Sequence, residues 1–129
     1  MATSSMEVFA RIQIGSLAER LEKDLHAAAQ NQDEEAVHHI RVSIRRFVQG
    51  ITVFAQYVPA NWSKKVRRQL RRVMRRSSKV RDLDIALVFL KKHRFPEEIL
   101  ANRRERAGLK LAAALSSSKW RTRLSLERS

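Results

Sequence analysis

The sequence predicts an all-α protein, folded as an antiparallel four-helix bundle of long amphipathic helices. Three observations carry this. Only three glycines and two prolines interrupt 129 residues, and Ala, Leu, Arg and Glu, all good helix formers, are abundant. Apolar residues recur at three- and four-residue spacing along most of the chain. No stretch of useful length alternates apolar and polar residues as a strand would. The length predicts one domain over residues 1–129, with its core about 5–115 and a less patterned C-terminal tail.

The first helix is expected from about Ser5 to Gln30, with Ala10, Ile14, Leu17, Leu21, Leu25 and Ala28 near one face. A polar break, QNQDEE, follows, and Asp33 has the side chain of an N-cap. The second helix has the clearest stripe: Val37, Ile40, Ile44, Phe47, Ile51, Phe54 and Val58 hold three-four spacing. Pro59 ends it, because proline disfavours the α conformation in the residue before it. The third helix is expected from near Asn61 to about Lys92. Its seam falls into two parts, Val66–Leu70–Val73 and Val80–Leu83–Leu87–Leu90, rotated from each other on the wheel. The offset falls at Ser77–Ser78, where a kink or local break is expected. HRFPEE makes the next turn. Pro96 suits a first helical position, and Glu97 and Glu98 suit a helix N-terminus. The fourth helix runs from there towards SSSKWRTRLSLERS on a weaker seam of Leu100, Ala107, Leu111, Ala114 and Leu115. Trp62 lies near a helix end, where it can close the bundle. Short connections between such helices favour antiparallel neighbours.

The net charge is +14, from 27 Lys and Arg against 13 Asp and Glu. A field of that size favours polyanions: nucleic acid, anionic lipid or condensed phosphate. Between Glu35 and Asp82 there is no carboxylate, yet the interval holds 13 Lys or Arg. A surface charged only for solubility mixes its signs. The chain has no cysteine, which excludes disulfides and thiolate metal sites. No apolar run approaches ~20 residues, so no spanning segment and no membrane partner is expected. The start, MATSSMEV, lacks the pattern of a secretory signal, and a cytoplasmic location is the expectation.

The charge is sorted by the helices. With the apolar stripe of the second helix at zero, His38, Arg41 and Arg45 lie together about 100–160° round. His39 and Arg46 lie on the opposite flank. On the third helix Lys64, Arg67, Arg71 and Arg75 share one flank of the first seam, and Arg68, Arg72, Arg76 and Lys79 lie further round. Like charges at i,i+4, such as Arg67 with Arg71, destabilise a helix by roughly 0.2–0.5 kcal/mol per pair. That repulsion is left uncorrected, which points to relief by a bound anion. Antiparallel packing brings the two stripes face to face across a groove. The arginine fork suits bidentate contact with phosphate, and His38 can donate through a ring nitrogen.

These residues resemble the CHAD domain, the conserved histidine α-helical domain. VHHIRVSIRRF, then a basic helix ending in VRDLDIAL, is similar to the family patterns V-H-x-x-R-V-x-x-R-R-L-R and L-G-x-x-R-D-x-D-V. His38, Arg41, Val42, Arg45 and Arg46 fall on the first, and Arg81, Asp82 and Asp84 on the second. The resemblance covers roughly residues 5–100. It implies a helical fold that binds inorganic polyphosphate through basic surface residues, here His38, Arg41, Arg45 and Arg46. The third-helix arginines follow by position. Val48 stands where the family often has another arginine, and Ser77–Ser78 replaces Leu-Gly. Family domains hold two pseudo-symmetric four-helix halves, and this length suits one. A homodimer rebuilding the two-half architecture is therefore expected.

Other chemistry is weakly signalled. There is no GxxxxGK[ST] loop and no HExxH, so no catalytic residue and no cofactor is expected. His38 and His39 point about 100° apart on a helix, so no metal site is expected. His26 and His93 read as surface residues. Arg81 and Asp84 read as an i,i+3 pair, and Asp82 can reach Ser78 or Lys79, so the RDLD element orients rather than reacts. The expected function is non-catalytic binding of inorganic polyphosphate in a groove between the second and third helices. The expected contacts are His38, Arg41, Arg45, Arg46, Lys64, Arg67, Arg68, Arg71, Arg75 and Arg81. Association with polyphosphate granules would follow. The alternative is a nucleic-acid-binding or general polyanion-binding helical protein, with nucleic acid in either case a competitor. Against it, the basic flanks carry almost no interleaved aromatics.

Overall fold

The computed structural model describes residues 4–116 and 119–126. Residues 1–3, 117–118 and 127–129, parts of the chain start and of the C-terminal stretch considered above, lie outside the described residues. Four long helices form: α1 (Ser5–Gln30), α2 (Glu34–Val53), α3 (Ala60–Lys92) and α4 (Glu98–Leu115), followed by the short α5 (Trp120–Arg123). No strand occurs among the described residues.

Local chemistry sets the ends. The Ser4 hydroxyl accepts from the Glu7 amide (3.0 Å) at the start of α1. Asp33 caps α2, accepting from the Ala36 amide (2.8 Å), as its side chain predicts. The second helix stops at Val53, short of Pro59, and gives way to a 3-10 turn over Ala55–Tyr57. Phe54 leaves the helix to set its ring edge-on to Phe9 of α1, centroids 5.9 Å apart. Val58, before the proline, is extended. Pro96 falls two residues before the first helical residue, Glu98, rather than at it. The α3–α4 turn instead closes through Arg94, at φ 58°, and a Phe95 amide bond to the Leu90 carbonyl (2.9 Å).

The expected break at Ser77–Ser78 is absent, and α3 is unbroken from Ala60 to Lys92. The physical reason is that Ser77 is itself a core position, 0% exposed. Counting it, the buried positions Trp62, Val66, Leu70, Val73, Ser77, Val80 and Leu83 form one continuous three-four seam. The apparent offset arose from passing over a serine. Its hydroxyl is satisfied by donating to the Met74 carbonyl (2.9 Å).

The helices close a ring in which α1 packs on α2 and α4, and α3 packs on α4 and α2. Neighbours are antiparallel. Asp24 of α1 accepts a hydrogen bond from Ser43 of α2, while Gly50 of α2 lies against Leu17 of α1. A Cβ at Gly50 would sit 2.6 Å from Leu17 Cδ1, so a side chain there would have to displace the end of Leu17. On the other side Arg41 of α2 meets Ser77 of α3, and Thr52 meets Arg67. One apolar core joins all four helices and takes in Trp120 and Leu124, so the core extends past Leu115. Phe47 and Trp62 meet edge-on within it, and Trp62 Nε1 donates to the Arg123 carbonyl (3.0 Å).

With 33 residues, α3 is about 50 Å long, against about 30 Å for the 20 residues of α2. Its last turns run past the α1–α2 connection and form a tip with the start of α4. Leu87 and Leu90, expected in the core, are only half-buried there, and Ile85, Val88, Phe89, Phe95 and Ile99 are exposed.

Candidate functional site

The antiparallel contact of α2 with α3 lays two stripes side by side. On α2 the positions facing α3 are His38, Arg41, Arg45, Val48 and Thr52, successive residues at three-four spacing. On α3 the matching row is Arg81, Ser78, Met74, Arg71 and Arg67. Two contacts fix the register, Arg41 with Ser77 and Ser78, and Thr52 with Arg67. Arg41 and Arg45 of the first motif and Arg81 of the second therefore lie along one seam.

Arg41 is the centre of it. Only 8% exposed, it reaches across to α3, and its Nη1 donates to Ser78 Oγ (2.6 Å), Ser77 Oγ (2.9 Å) and the Met74 carbonyl (3.3 Å). The expectation of an open surface contact needs correcting here. One edge of the guanidinium is spent inside the protein, because the flank of α2 it occupies is pressed against α3. Burial first, and then the charges of Arg45 and Arg81, lower its pKa, while Asp82 acts the other way. It stays charged at neutral pH. Those same effects place Arg45 and Arg81 within electrostatic reach of Arg41.

Arg67 is held in the same manner further along. Its Nε donates to Ser63 Oγ (3.1 Å) and its Nη2 to Thr52 Oγ1 (2.7 Å). Arg71 Nε donates to the Arg67 carbonyl (3.4 Å), and its head stays exposed. Lys64, Arg67 and Arg71 border a shallow recess of about 290 Å³ where α3 begins beside the 3-10 turn. Arg45 and Arg81 are exposed along the seam, His38 is exposed one turn before Arg41, and Arg75 is exposed on the outer edge, 100° from Met74.

Two expected contacts stand apart. Arg46 lies on the flank of α2 that carries Ser43 and Gly50, the residues packed against α1. Arg68 is exposed and, at 100° from Arg67, turned from the row facing α2. His39 sits on the Arg46 side, 4.0 Å from Glu35.

The electrostatics of the seam are one-sided. The ion pairs among the described residues are Arg11–Glu7, Arg20–Asp24, His39–Glu35 and Arg104–Asp84. None involves any of the 13 Lys and Arg between Glu35 and Asp82. The seam arginines that are held at all are held by neutral hydroxyls and carbonyls. A larger recess of about 1120 Å³ lies elsewhere, between α1 and the C-terminal segment. Its lining mixes Glu19 and Glu22 with Arg11, Lys23 and Arg121, so it lacks that single sign.

The RDLD element also needs correcting. Asp84 pairs not with Arg81 but with Arg104 of α4, Nε to Oδ1 at 2.6 Å. Arg104 Nη2 also donates to the Gln32 carbonyl (2.5 Å), so this side chain ties α4 to α3 and to the α1–α2 connection. Asp84 thus makes its ion pair across helices rather than along one.

The fold is thus a helical bundle with a basic seam between two antiparallel helices. The chain matches the model of the CHAD domain over residues 12–128 and belongs to the CHAD domain family. The match reaches well past residue 100, where the resemblance of motifs ended, and so includes α4 and α5. No curated protein and no solved structure matches the chain. The CHAD domain is a binding domain and is associated with polyphosphate binding.

Sequence reasoning missed the hydroxyls of Thr52, Ser63, Ser77 and Ser78, and it missed Arg104. A signal for Ser77 existed: it falls in register on the seam of α3. Nothing in the local pattern marks Arg104, whose partners lie 20 and 72 residues away.

Proposed function

We propose that this chain binds inorganic polyphosphate along the α2–α3 seam without turning it over. The carrying observation is that 13 basic residues stand between Glu35 and Asp82 and that, among the described residues, no carboxylate pairs with any of them. Arg41, Arg45, Arg67, Arg71 and Arg81 form the row, with Lys64 and His38 at its ends and Arg75 on its outer edge; Arg46 and Arg68 meet only a ligand that leaves the row. A linear chain with one charge per phosphoryl unit suits a linear row of forks. Affinity then comes from phosphate contacts and falls steeply with salt.

Nucleic acid is the rival. The scarcity of aromatics along the seam, where Phe47 is buried and Tyr57 stands off beyond α2, favours a ligand with nothing to stack. Competition separates the two: long-chain polyphosphate displaces labelled single-stranded DNA at lower phosphate-equivalent concentration. Equal displacement would make the seam a general polyanion surface. Incubation with polyphosphate and a divalent cation leaves the chain-length distribution unchanged; its shortening would show turnover.

Pairing of two chains into a two-half assembly is part of the proposal. The exposed Ile85, Val88, Phe89, Phe95 and Ile99 supply apolar surface for it, and Lys91 and Lys92 beside Glu97 and Glu98 give the tip both signs, as a self-complementary contact needs. A monomer mass in sedimentation at micromolar concentration would remove this part alone. A cytoplasmic place at polyphosphate granules completes the reading.

A further inference from the structure

The seam holds its arginines in an unusual way. A guanidinium that must keep one direction is commonly fixed by a carboxylate, which gives strong, short bonds but also neutralises the charge. Here Arg41 is fixed by Ser77 and Ser78, at 2.9 and 2.6 Å, and Arg67 by Ser63 and Thr52, at 3.1 and 2.7 Å. The hydroxyls sit one to each side of the contact: Thr52 on α2 meets Arg67 on α3, and Ser77 and Ser78 on α3 meet Arg41 on α2. The two arginines thus cross the seam in opposite directions, and each is braced from the opposing helix.

Neutral acceptors do something a carboxylate cannot. They remove rotamer freedom while leaving the full positive charge in place. Ser77 is fully buried, so the brace on Arg41 is shielded from water. Arg41 spends Nη1 on α3, and its bonds to the serines use neither Nε nor Nη2. The side chain is presented in one orientation to whatever anion lies along the seam.

We propose that Thr52, Ser63, Ser77 and Ser78 are positioning residues of the seam, orienting Arg67 and Arg41 by neutral hydroxyls so that their charge stays available to a polyphosphate chain. This rests on the function proposed above. Fixing a rotamer-rich side chain beforehand spares its ordering on binding, and each such side chain is worth roughly a two- to tenfold change in affinity.

The test uses the full chain and polyphosphate, with affinity read over a range of salt and folding read by circular dichroism and thermal melting. Thr52→Ala with Ser78→Ala removes one hydroxyl from each arginine at positions that are not fully buried. It should weaken binding roughly five- to fiftyfold while leaving the salt slope unchanged, because every cation remains. Ser78→Thr, which keeps the hydroxyl, should bind like the wild type. Ser78→Asp places a carboxylate beside Arg41, where Arg45 and Arg81 also act. It should melt no lower than the wild type yet bind at least tenfold more weakly. A purely structural serine would give the opposite pairing, with stability and affinity falling together. Wild-type affinity in the double alanine variant, or in Ser78→Asp, would overturn the positioning role while leaving the seam as the binding site. A wild-type chain that does not bind polyphosphate would overturn the function itself, and the positioning role with it.

Discussion

Replacing Arg71 and Arg75 by glutamine separates a seam from a charge cloud. Both side chains are exposed, glutamine keeps helix propensity, and no ion pair is lost. Arg103 and Arg106 of α4 are also exposed and are absent from the ion pairs, so the same double change there is a matched control. The row and its outer edge together count six arginines: Arg41, Arg45, Arg67, Arg71 and Arg81, with Arg75 at the edge. At about 0.7 per contact for a single-stranded polyanion, log affinity should fall against log salt with a slope near −4. Losing two contacts moves the slope to about −3. An exposed charge-assisted contact contributes about 1 kcal/mol, so the pair together contributes about 2 kcal/mol, or roughly thirtyfold in Kd. The control keeps the slope and loses less than about threefold, through the long-range field alone. Fluorescence anisotropy with end-labelled polyphosphate at four salt concentrations measures both quantities. Equal losses and equal slopes in the two pairs would refute the reasoning, because net charge rather than the seam would then set binding.

Three further outcomes follow from the packing. Arg104→Met removes the tie between α4, Asp84 and the Gln32 carbonyl; with both side chains about a fifth exposed, the loss should be about 2 kcal/mol, or roughly 6–8 °C in Tm. Asp84→Leu combined with it should cost less than the sum of the two singles, and full additivity would deny the pair. Trp62→Phe removes the donor to the Arg123 carbonyl and should cost about 1 kcal/mol while speeding tryptic cleavage at Arg121 and Arg123; unchanged cleavage would mean that the C-terminal segment is held elsewhere. Arg94→Gly relieves a side chain in the left-handed region and should stabilise by about 0.5–1 kcal/mol, so a lower Tm would contradict the role of that turn.

Helices were legible in this chain wherever periodicity and caps agreed. The stripe of α2 and the Asp33 cap are local signals, and both are found in the fold. The continuity of α3 is easily missed, because a serine in a core position looks like an interruption, although Ser77 falls in register between Val73 and Val80; what the local pattern does not show is its partner, Arg41, 36 residues away. The end of α2 was misjudged because Phe54 keeps the spacing of the stripe but turns off to meet Phe9. At the site, residue types and wheel angles put His38, Arg41 and Arg45 on one stripe and Lys64, Arg67, Arg71 and Arg75 on the other, while Arg81 entered with its motif rather than by its angle. They could not distinguish an arginine that faces outward from one braced inward. They paired Asp84 with its neighbour Arg81 for the same reason: a helical wheel knows positions three and four apart but nothing of a side chain on another helix.

Isothermal titration of the full chain with medium-length polyphosphate at physiological salt tests the central claim most directly, with single-stranded DNA at equal phosphate as the control. The account predicts a Kd below about 1 μM for polyphosphate, better than about −8 kcal/mol, and markedly weaker binding of DNA. Comparable affinities for the two would contradict it, and the seam would then be a surface for polyanions in general.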